Sequence, residues 1–241
     1  MELDVSANEF VPKKILVVAN LWYFGYKLHV MEITHLGHSC FKLRGKNVTL
    51  LLDPPSEEEM GFKILKSTVD AVLTTHNHPD HHDLDRVEGY RVLIEGPGEY
   101  EVGGALILGI SAFHDNVKGK DKGKVTLFQI KVDGLTLAHL GDLGDKLNEA
   151  QIEELNGVDI LMIPVGGHST ISPAVAAEVA AQLEPKIVIP MHYLVPGLKN
   201  TSLMPVENFL KEMGKEATPP QPKLVITKDK LPQELEVVVL E

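Results

Sequence analysis

Cysteine and aromatic residues are scarce in this sequence of 241 residues, which contains one cysteine, Cys40, and one tryptophan. A single thiol excludes an internal disulfide and a metal cluster held by several thiolates. A lone cysteine is typical of proteins from a reducing compartment, so we expect a cytoplasmic location. A chain of this length buries enough surface to fold without a disulfide or a structural metal, so a metal bound here is expected to be functional.

Long hydrophobic runs are also missing, since no segment reaches the ~18 apolar residues that a membrane-spanning helix needs. The best candidate is ILVVANLWYF at 15–24. Asn20 interrupts it, acidic residues precede it and no small-x-small cleavage site follows, so we do not expect a signal peptide. Met31 opens a clearer strand pattern, and we interpret residues 1–30 as an N-terminal extension or a misassigned start.

Basic residues are outnumbered, with 23 Lys and Arg against 34 Asp and Glu and a net charge of −11 with histidine neutral. Binding to a phosphate backbone requires a basic surface, so this charge argues against a general nucleic-acid binder. One basic segment remains, Lys118–Lys124, with four lysines in seven residues. It fits a solvated hairpin loop and also a loop that contacts phosphates.

Aliphatic and β-branched runs bounded by turn residues predict a strand-rich first half. These strands are expected at 32–36, 40–44, 48–52, 69–75, 91–95, 105–111, 125–131 and 135–140. Hairpin turns are predicted at 45–47 and at Asp133–Gly134. In the second half helices are expected at 148–155, 173–183 and 204–213, alternating with strands at 159–165, 186–191, 223–227 and 234–240. This order predicts one α/β domain.

Histidine is abundant, with 11 residues, and the segment 75–82 reads Thr-His-Asn-His-Pro-Asp-His-His. The proline prevents a regular helix. In an extended chain leaving the preceding strand, alternate side chains project to one side, which brings His76 and His78 together. Asp80 and His81 follow a turn and face a second point nearby. Imidazoles at one point, and a carboxylate with an imidazole at the other, are suitable ligands for zinc, manganese or iron.

Chance is a poor explanation of this segment, because H-x-H-x-D-H is expected in roughly one in a thousand chains of this composition. Further donors stand at the ends of predicted strands, where a fold can bring distant residues together. They are His114, Asp142 and His192. Each alone has an alternative interpretation as a loop histidine, a turn aspartate or a buried core histidine, respectively.

With these motifs the sequence resembles the metallo-β-lactamase superfamily, and in particular the small branch of ascorbate-6-phosphate lactonase-like proteins and N-acyl phosphatidylethanolamine phospholipase D. The matching segments span about residues 31–240. They are Leu-Gly-His-Ser at 36–39, Leu-Leu-Asp-Pro at 51–54, the motif at 76–81, Ala-Phe-His at 112–114, Gly-Asp-Leu-Gly at 141–144, Pro-Val-Gly-Gly-His at 164–168 and Pro-Met-His-Tyr at 190–193. The resemblance implies a four-layer αββα sandwich of two mixed sheets, with residues 31–241 as one hydrolase domain.

The resemblance also implies a centre of two divalent ions, with zinc as the first expectation and manganese or iron as alternatives. The implied ligands are His76, His78 and His114 for one ion, Asp80, His81 and His192 for the other, and Asp142 as the bridge. Asp53 is implied to orient the histidine loop without binding an ion itself.

Several other positions carry weaker expectations. His78 stands where the oxygen-reducing diiron branch usually has glutamate, so hydrolysis is favoured over redox chemistry. Leu143 stands where relatives usually carry threonine, which removes an expected hydrogen bond but no ligand. His168 resembles a position near the substrate, with a loop residue without a role as the alternative. His38 fits a structural role as well as a functional one, and Tyr193 is expected to pack.

The implied reaction is hydrolysis by a hydroxide that the two ions share, while they polarise a carbonyl or phosphoryl oxygen of the substrate. Asp80, Asp142 and His168 are the catalytic candidates, the two carboxylates as groups that orient the water and accept its proton. The short chain lacks room for the large inserted domain of the RNA-processing members. We therefore expect a small or medium-sized ester, lactone or phosphodiester as substrate.

Two other functions stay open. A regulatory or sensing module would keep the metal ligands without turnover, although structural zinc sites are usually closed by four ligands. A nuclease would use the lysines of Lys118–Lys124 on phosphates and would show a steep salt dependence.

Overall fold

The computed structural model describes residues 30–61 and 66–241, together with the backbone of two short strands, β1 (Trp22–Tyr23) and β2 (Tyr26–Lys27), which pair antiparallel. Most of the predicted N-terminal extension therefore lies outside the described residues. In the part that is described, no helix is long and apolar enough to cross a bilayer.

The first half of the chain forms a six-stranded mixed sheet. Its strands, in chain order, are β3 (Met31–Gly37), β4 (Cys40–Arg44), β5 (Thr49–Leu52), β7 (Ala71–Leu73), β9 (Val92–Ile94) and, from the far end of the chain, β16 (Leu224–Ile226). The spatial order is β16-β3-β4-β5-β7-β9, antiparallel as far as β5 and parallel from there on. Two further short strands, β6 (Ser67–Thr68) and β8 (Val87–Glu88), pair with each other.

The second sheet has seven strands and repeats this arrangement. Its strands are β10 (Gly98–Val102), β11 (Ala105–Phe113), β12 (Lys124–Val132), β13 (Leu135–His139), β14 (Ile160–Pro164), β15 (Ile187–Met191) and β17 (Glu236–Val237), which neighbour one another in this order. β10 to β13 are antiparallel, and β13, β14, β15 and β17 are parallel. Consecutive parallel strands point their carboxyl ends to the same edge.

Four helices accompany the sheets: α1 (Glu57–Met60), α2 (Glu149–Glu154), α3 (Pro173–Leu183) and α4 (Val206–Glu212), with a 3-10 turn at Lys228–Lys230. α3 begins as the sequence predicts, because the Ser172 hydroxyl accepts the N–H of Val175 and Pro173 occupies the first turn.

The main core lies between the two sheets and is built from aliphatic side chains of both, such as Leu50 and Leu137. A second core joins the outer face of the seven-stranded sheet to α2, α3 and α4. The predicted α/β sandwich of two mixed sheets is confirmed. Among the described residues, the outer face of the six-stranded sheet packs on the segment 84–90, through Val87, rather than on a long helix.

Most predicted elements form within two residues of their expected bounds, including the hairpin at Asp133–Gly134, where both residues have positive φ as a two-residue turn requires. Three differences stand out. The strand predicted at 234–240 is limited to β17, and neither α1 nor β10 was predicted. β10 is an edge strand with two exposed glutamates, so it carries no apolar run for a sequence pattern to detect.

Candidate metal centre

The predicted donors meet at one edge of the sandwich, because each follows the end of a strand. His76 follows β7, His114 follows β11, Asp142 follows β13 and His192 follows β15. The structure brings together all seven residues proposed from sequence as ligands, and it adds His38 from the turn between β3 and β4.

The first group of donors consists of His76, His78 and His114. Their ring centroids are 4.5 Å apart for His76 and His78, 4.8 Å for His76 and His114, and 5.2 Å for His78 and His114. One ring nitrogen of each lies within 4.8 Å of the other two. This spacing suits three imidazoles around one ion at ordinary metal–nitrogen distances of about 2.0–2.1 Å.

The second group consists of His38, Asp80, His81 and His192, whose ligand atoms also lie within 4.8 Å of one another. Oδ2 of Asp80 is 3.4 Å from Nε2 of His38 and 3.8 Å from Nε2 of His81. The two groups are adjacent, since the rings of His76 and His81 are 4.3 Å apart.

Asp142 lies between the groups and contacts both. Its Oδ1 is 3.1 Å from Nε2 of His81, and its Oδ2 is 3.1 Å from Nε2 of His192 and 3.4 Å from Nε2 of His114. The residue is 1% exposed. A buried carboxylate that contacts histidines of both groups has the position that a bridging ligand requires.

Asp53 orients two of these histidines, one by a direct hydrogen bond and one through the hydroxyl of Thr75. Its carboxylate accepts the backbone N–H and the hydroxyl of Thr75 at 2.7 Å each, and Nδ1–H of His81 donates to it at 2.9 Å. Burial would raise the pKa of Asp53, but the charge and hydrogen bond of His81 hold this pKa below its ordinary value. Since the Thr75 hydroxyl donates to Asp53, it accepts from Nδ1–H of His76 at 3.0 Å.

These hydrogen bonds fix the tautomers, because a proton on Nδ1 leaves the Nε2 lone pairs of His76 and His81 directed into the site. The Nε2 atoms of His76 and His81 and Oδ1 of Asp142 are buried and have no well-formed hydrogen bond among the described residues. Buried polar atoms normally have partners. Three unpartnered acceptors converging on one point fit a divalent cation.

The charge states also fit metal binding, which needs neutral imidazoles and ionised carboxylates. Burial, reinforced by neighbouring histidines, lowers the pKa of His76 to about 3 and that of His38 to about 4. Burial opposes ionisation of Asp142, yet His192 and His81 hold its pKa well below the ordinary value. His81 is the exception: burial lowers its pKa, but Asp142 and Asp53 together raise it well above normal, so a cation would take the place of its proton.

Comparison with known proteins assigns this geometry to a family. The family model described as "Beta-lactamase superfamily domain" matches residues 32–192, which is more than half of the chain. The chain belongs to the metallo-β-lactamase superfamily.

Several relatives of this chain are described as metal-dependent hydrolases. A UPF0173 metal-dependent hydrolase of Pyrococcus abyssi is 28% identical over 192 residues, which cover 68% of this chain and 85% of that protein. A UPF0173 protein of the same species is 31% identical over 185 residues, covering 68% and 83%. A solved structure from Thermotoga maritima, described as a Zn-dependent hydrolase of the metallo-β-lactamase superfamily, is 38% identical with a TM-score of 0.71, covering 88% of this chain and 98% of that one. The prediction of a metal-dependent hydrolase is confirmed.

The fold alone does not determine the reaction in this superfamily. CmlA of Streptomyces venezuelae, a diiron β-hydroxylase, shares the fold at 17% identity and a TM-score of 0.57, covering 83% of this chain and 54% of that one. The side chains at the rim of the sandwich therefore carry the functional argument.

Backbone strain concentrates at the site of this metallo-β-lactamase superfamily member. His38, Asp53, His168 and His192 all have positive φ, between 45° and 57°, a region that side chains other than glycine rarely adopt. Such conformations persist where surrounding contacts impose them, and they cluster at functional sites. The sequence is compatible with a structural or a functional role for His38, and its neighbour Gly37, with φ of 107°, marks this turn.

Three further histidines of the hydrolase have protein partners. His35 donates to the carbonyl oxygen of His38 at 2.9 Å, His139 to that of Ser39 at 2.9 Å, and His82 pairs with Glu95 at 2.6 Å. None of these three histidines belongs to a ligand group in the described part of the chain.

Tyr193 packs, as expected from sequence. It is 7% exposed, its hydroxyl donates to the carbonyl oxygen of Leu240 at 3.5 Å, and burial with the nearby Glu207 raises its pKa to about 12. It lines a mostly apolar cavity of about 640 Å³ that also contacts His35 and α4.

Two further predicted positions follow strands β13 and β14 of the seven-stranded sheet. His168 is exposed on the turn after β14 and is outside the ligand groups of the described residues. Leu143 is 1% exposed and packs in the core against the helices, so an apolar side chain suits the place where threonine was expected.

The lysine-rich loop after His114 is ordered by a single carboxylate. Asp115 accepts four backbone N–H groups, from Val117, Gly119, Asp121 and Lys122, at 2.7–3.0 Å. The ammonium of Lys122 donates to the carbonyl oxygen of Ser169, which follows His168. The other three lysines of Lys118–Lys124 are exposed.

Proposed function

We propose that this hydrolase uses two divalent ions to cleave a small or medium-sized ester, lactone or phosphodiester. The observation that carries the proposal is the position of Asp142, whose two oxygens contact histidines of the two donor groups. One ion would be held by the first group and the other by Asp80, His81 and His192, with Asp142 shared. Imidazole and carboxylate donors favour zinc and also accommodate manganese or iron.

Two ions bound in this way would lower the pKa of a water molecule towards neutrality and would withdraw electrons from a carbonyl or phosphoryl oxygen. The protein supplies orientation and proton transfer. Asp80 is the most accessible carboxylate of the site, with a side chain 33% exposed, so it is placed to accept a hydrogen bond from the attacking water and to take its proton. Asp142, being buried, acts mainly by fixing the distance between the two donor groups.

His168 is proposed to contact the substrate from the exposed turn after β14. The next residue, Ser169, accepts a hydrogen bond from the ammonium of Lys122 through its carbonyl oxygen. This bond links the turn of His168 to the loop that follows the proposed ligand His114. The loop of Lys122 begins next to the proposed ligand His114, so we expect groups of a bound substrate that extend past the ions to meet these two loops first.

The net charge of −11 supports a small-molecule substrate over nucleic acid. The exposed lysines beside His114 nevertheless keep phosphodiesters among the candidates. Both sheets share one core, which supports the interpretation of residues 31–241 as one hydrolase domain. The single buried thiol supports a cytoplasmic location.

The deciding experiment combines metal analysis with a substrate panel. Zinc-, manganese- and iron-loaded protein is tested on phosphodiesters, phosphotriesters, lactones and thioesters, with Asp142→Ala as the control for each activity. His114→Ala and His192→Ala should each lose affinity at a different metal position and retain their circular dichroism spectrum. Unchanged binding of two ions in either variant would remove that histidine from the proposed ligand set.

A further inference from the structure

The His38 side chain is buried at the metal centre, but His38 is not one of the seven proposed ligands. The residue is 6% exposed, and neither Nδ1 nor Nε2 has a hydrogen-bond partner among the described residues. Every histidine that serves a structural role nearby has a clear partner, as His35 and His139 do. A buried imidazole with both nitrogens unpartnered is unfavourable unless something else binds it.

The backbone holds this ring against the second donor group. The carbonyl oxygen of His38 accepts two hydrogen bonds at 2.9 Å, one from the backbone N–H of His192 and one from the ring of His35. With its carbonyl fixed and its φ at 57°, the direction of its Cα–Cβ bond is set, and burial confines the ring beside this group. The ring centroid is 4.0 Å from that of His192 and 5.3 Å from that of His81.

The distances suit a metal ligand better than a hydrogen bond. Nε2 of His38 is 3.4 Å from Oδ2 of Asp80, longer than a normal charge-assisted hydrogen bond. Two donors that share an ion at about 2.1 Å each are separated by roughly 3–4 Å. We propose that His38 is an eighth metal donor, at the position held by Asp80, His81 and His192. This proposal rests on the proposed metal-dependent function and extends its ligand set.

An eighth donor makes the two positions unequal. The position of His38 would have three imidazoles and two carboxylates, Asp142 included, whereas the other would have three imidazoles and Asp142. Catalytic zinc sites keep a coordination position open for water or substrate, and structural sites do not. The position of His76, His78 and His114 is therefore the one with more room for the oxygen atom of a substrate.

The test is metal binding, measured apart from activity. Metal-free wild type, His38→Gln and His38→Ala are titrated with Zn²⁺ by calorimetry, with His82→Gln as the matched control, since His82 is next to a proposed ligand but pairs with Glu95. We expect both His38 variants to bind one of two equivalents about tenfold or more weakly and the other normally. His192→Ala should weaken the same equivalent. Wild-type affinity for both equivalents in either folded His38 variant would overturn the proposal.

A measurement on the wild type keeps the proposal testable if the variants do not fold. In ¹¹³Cd-loaded protein labelled with ¹⁵N-histidine, a ring nitrogen of His38 should show scalar coupling to ¹¹³Cd. Coupling in His76, His81 and His192 without coupling in His38 would reduce it to a residue that positions Asp80, and the proposed function would stand. Absence of coupling in all of these histidines would overturn both.

Discussion

Asp53 and His81 form a hydrogen-bonded pair, 2.9 Å from Oδ2 to Nδ1, in which both side chains are fully buried. The same carboxylate binds Thr75 twice, so one residue of the β5 end fixes the loop that carries the first four proposed ligands. A carboxylate is required here because all three of its partners are donors.

Asp53→Asn should therefore weaken metal binding without removing a ligand. The amide has one acceptor oxygen and would direct an NH₂ group at a donor. We expect a loss of about 10–100-fold in metal affinity and about 1–3 kcal/mol in the free energy of unfolding. Calorimetric titration and denaturant unfolding measure the two effects. Asp70→Asn, which changes a surface carboxylate that accepts the N–H of Thr49, is the control. Unaltered metal affinity in Asp53→Asn would count against this role.

Asp142→Asn should weaken both metal positions at once, because the Asp142 carboxylate contacts His114 of one donor group and His81 and His192 of the other. A shared carboxylate offsets the repulsion between two cations, and an amide does not. Metal content should fall from two ions, and turnover of any panel substrate should fall at least about 100-fold. The comparison is Asp159→Asn, a buried carboxylate far from the site that accepts the N–H of Thr136 and pairs with Lys228. Normal loading and turnover in Asp142→Asn would refute the bridging role.

Gly144→Ala should displace His114 although it changes no ligand. A Cβ at this position would overlap the carbonyl carbon of His114 and the amide nitrogen of Asp115, which are backbone atoms. We expect a loss of about 1–3 kcal/mol in stability from the overpacking, with weaker binding at the position of His114. Thermal unfolding and metal titration check this expectation. Gly96→Ala has nothing within 4 Å of its Cβ and should behave as wild type.

Cys40 should be unreactive in the folded protein. Its side chain is 0% exposed, and burial, with the charge of Asp53 as a smaller cause, raises the pKa of the thiol. A raised pKa lowers the thiolate fraction, and only the thiolate reacts with a disulfide reagent. Native protein at pH 8 should show no labelling by DTNB over hours, and one thiol should react at once in guanidinium chloride. Rapid labelling without denaturant would contradict this prediction and would show that the start of β4, at Cys40, opens to solvent.

The pattern of strands predicted an α/β domain with metal donors at strand ends, whereas the sandwich of two sheets and the assignment of ligands to two ions were implied by the resemblance to the superfamily. Candidate ligands follow directly after the aliphatic strands β7, β13 and β15, and strand ends are where a fold can bring distant residues together. His38 could not be assigned in this way. Its turn carries no periodicity, and its burial depends on His192, which lies 154 residues further along the chain. β10 escaped prediction because an edge strand need not be apolar.

The strand ends that meet at the centre belong to different sheets: Asp53, His76 and His81 to the six-stranded sheet, and His114, Asp142 and His192 to the seven-stranded sheet. Ions bound there would hold the two sheets together at this edge. Removing the ions with a chelator would destabilise that edge first. The backbone N–H of Thr126 donates to the carbonyl oxygen of Thr75 between the two sheets. The amide hydrogens of these two residues would then exchange faster than those at the opposite edge of the sandwich. The metal ions would then stabilise the contact between the two sheets in addition to their part in the reaction.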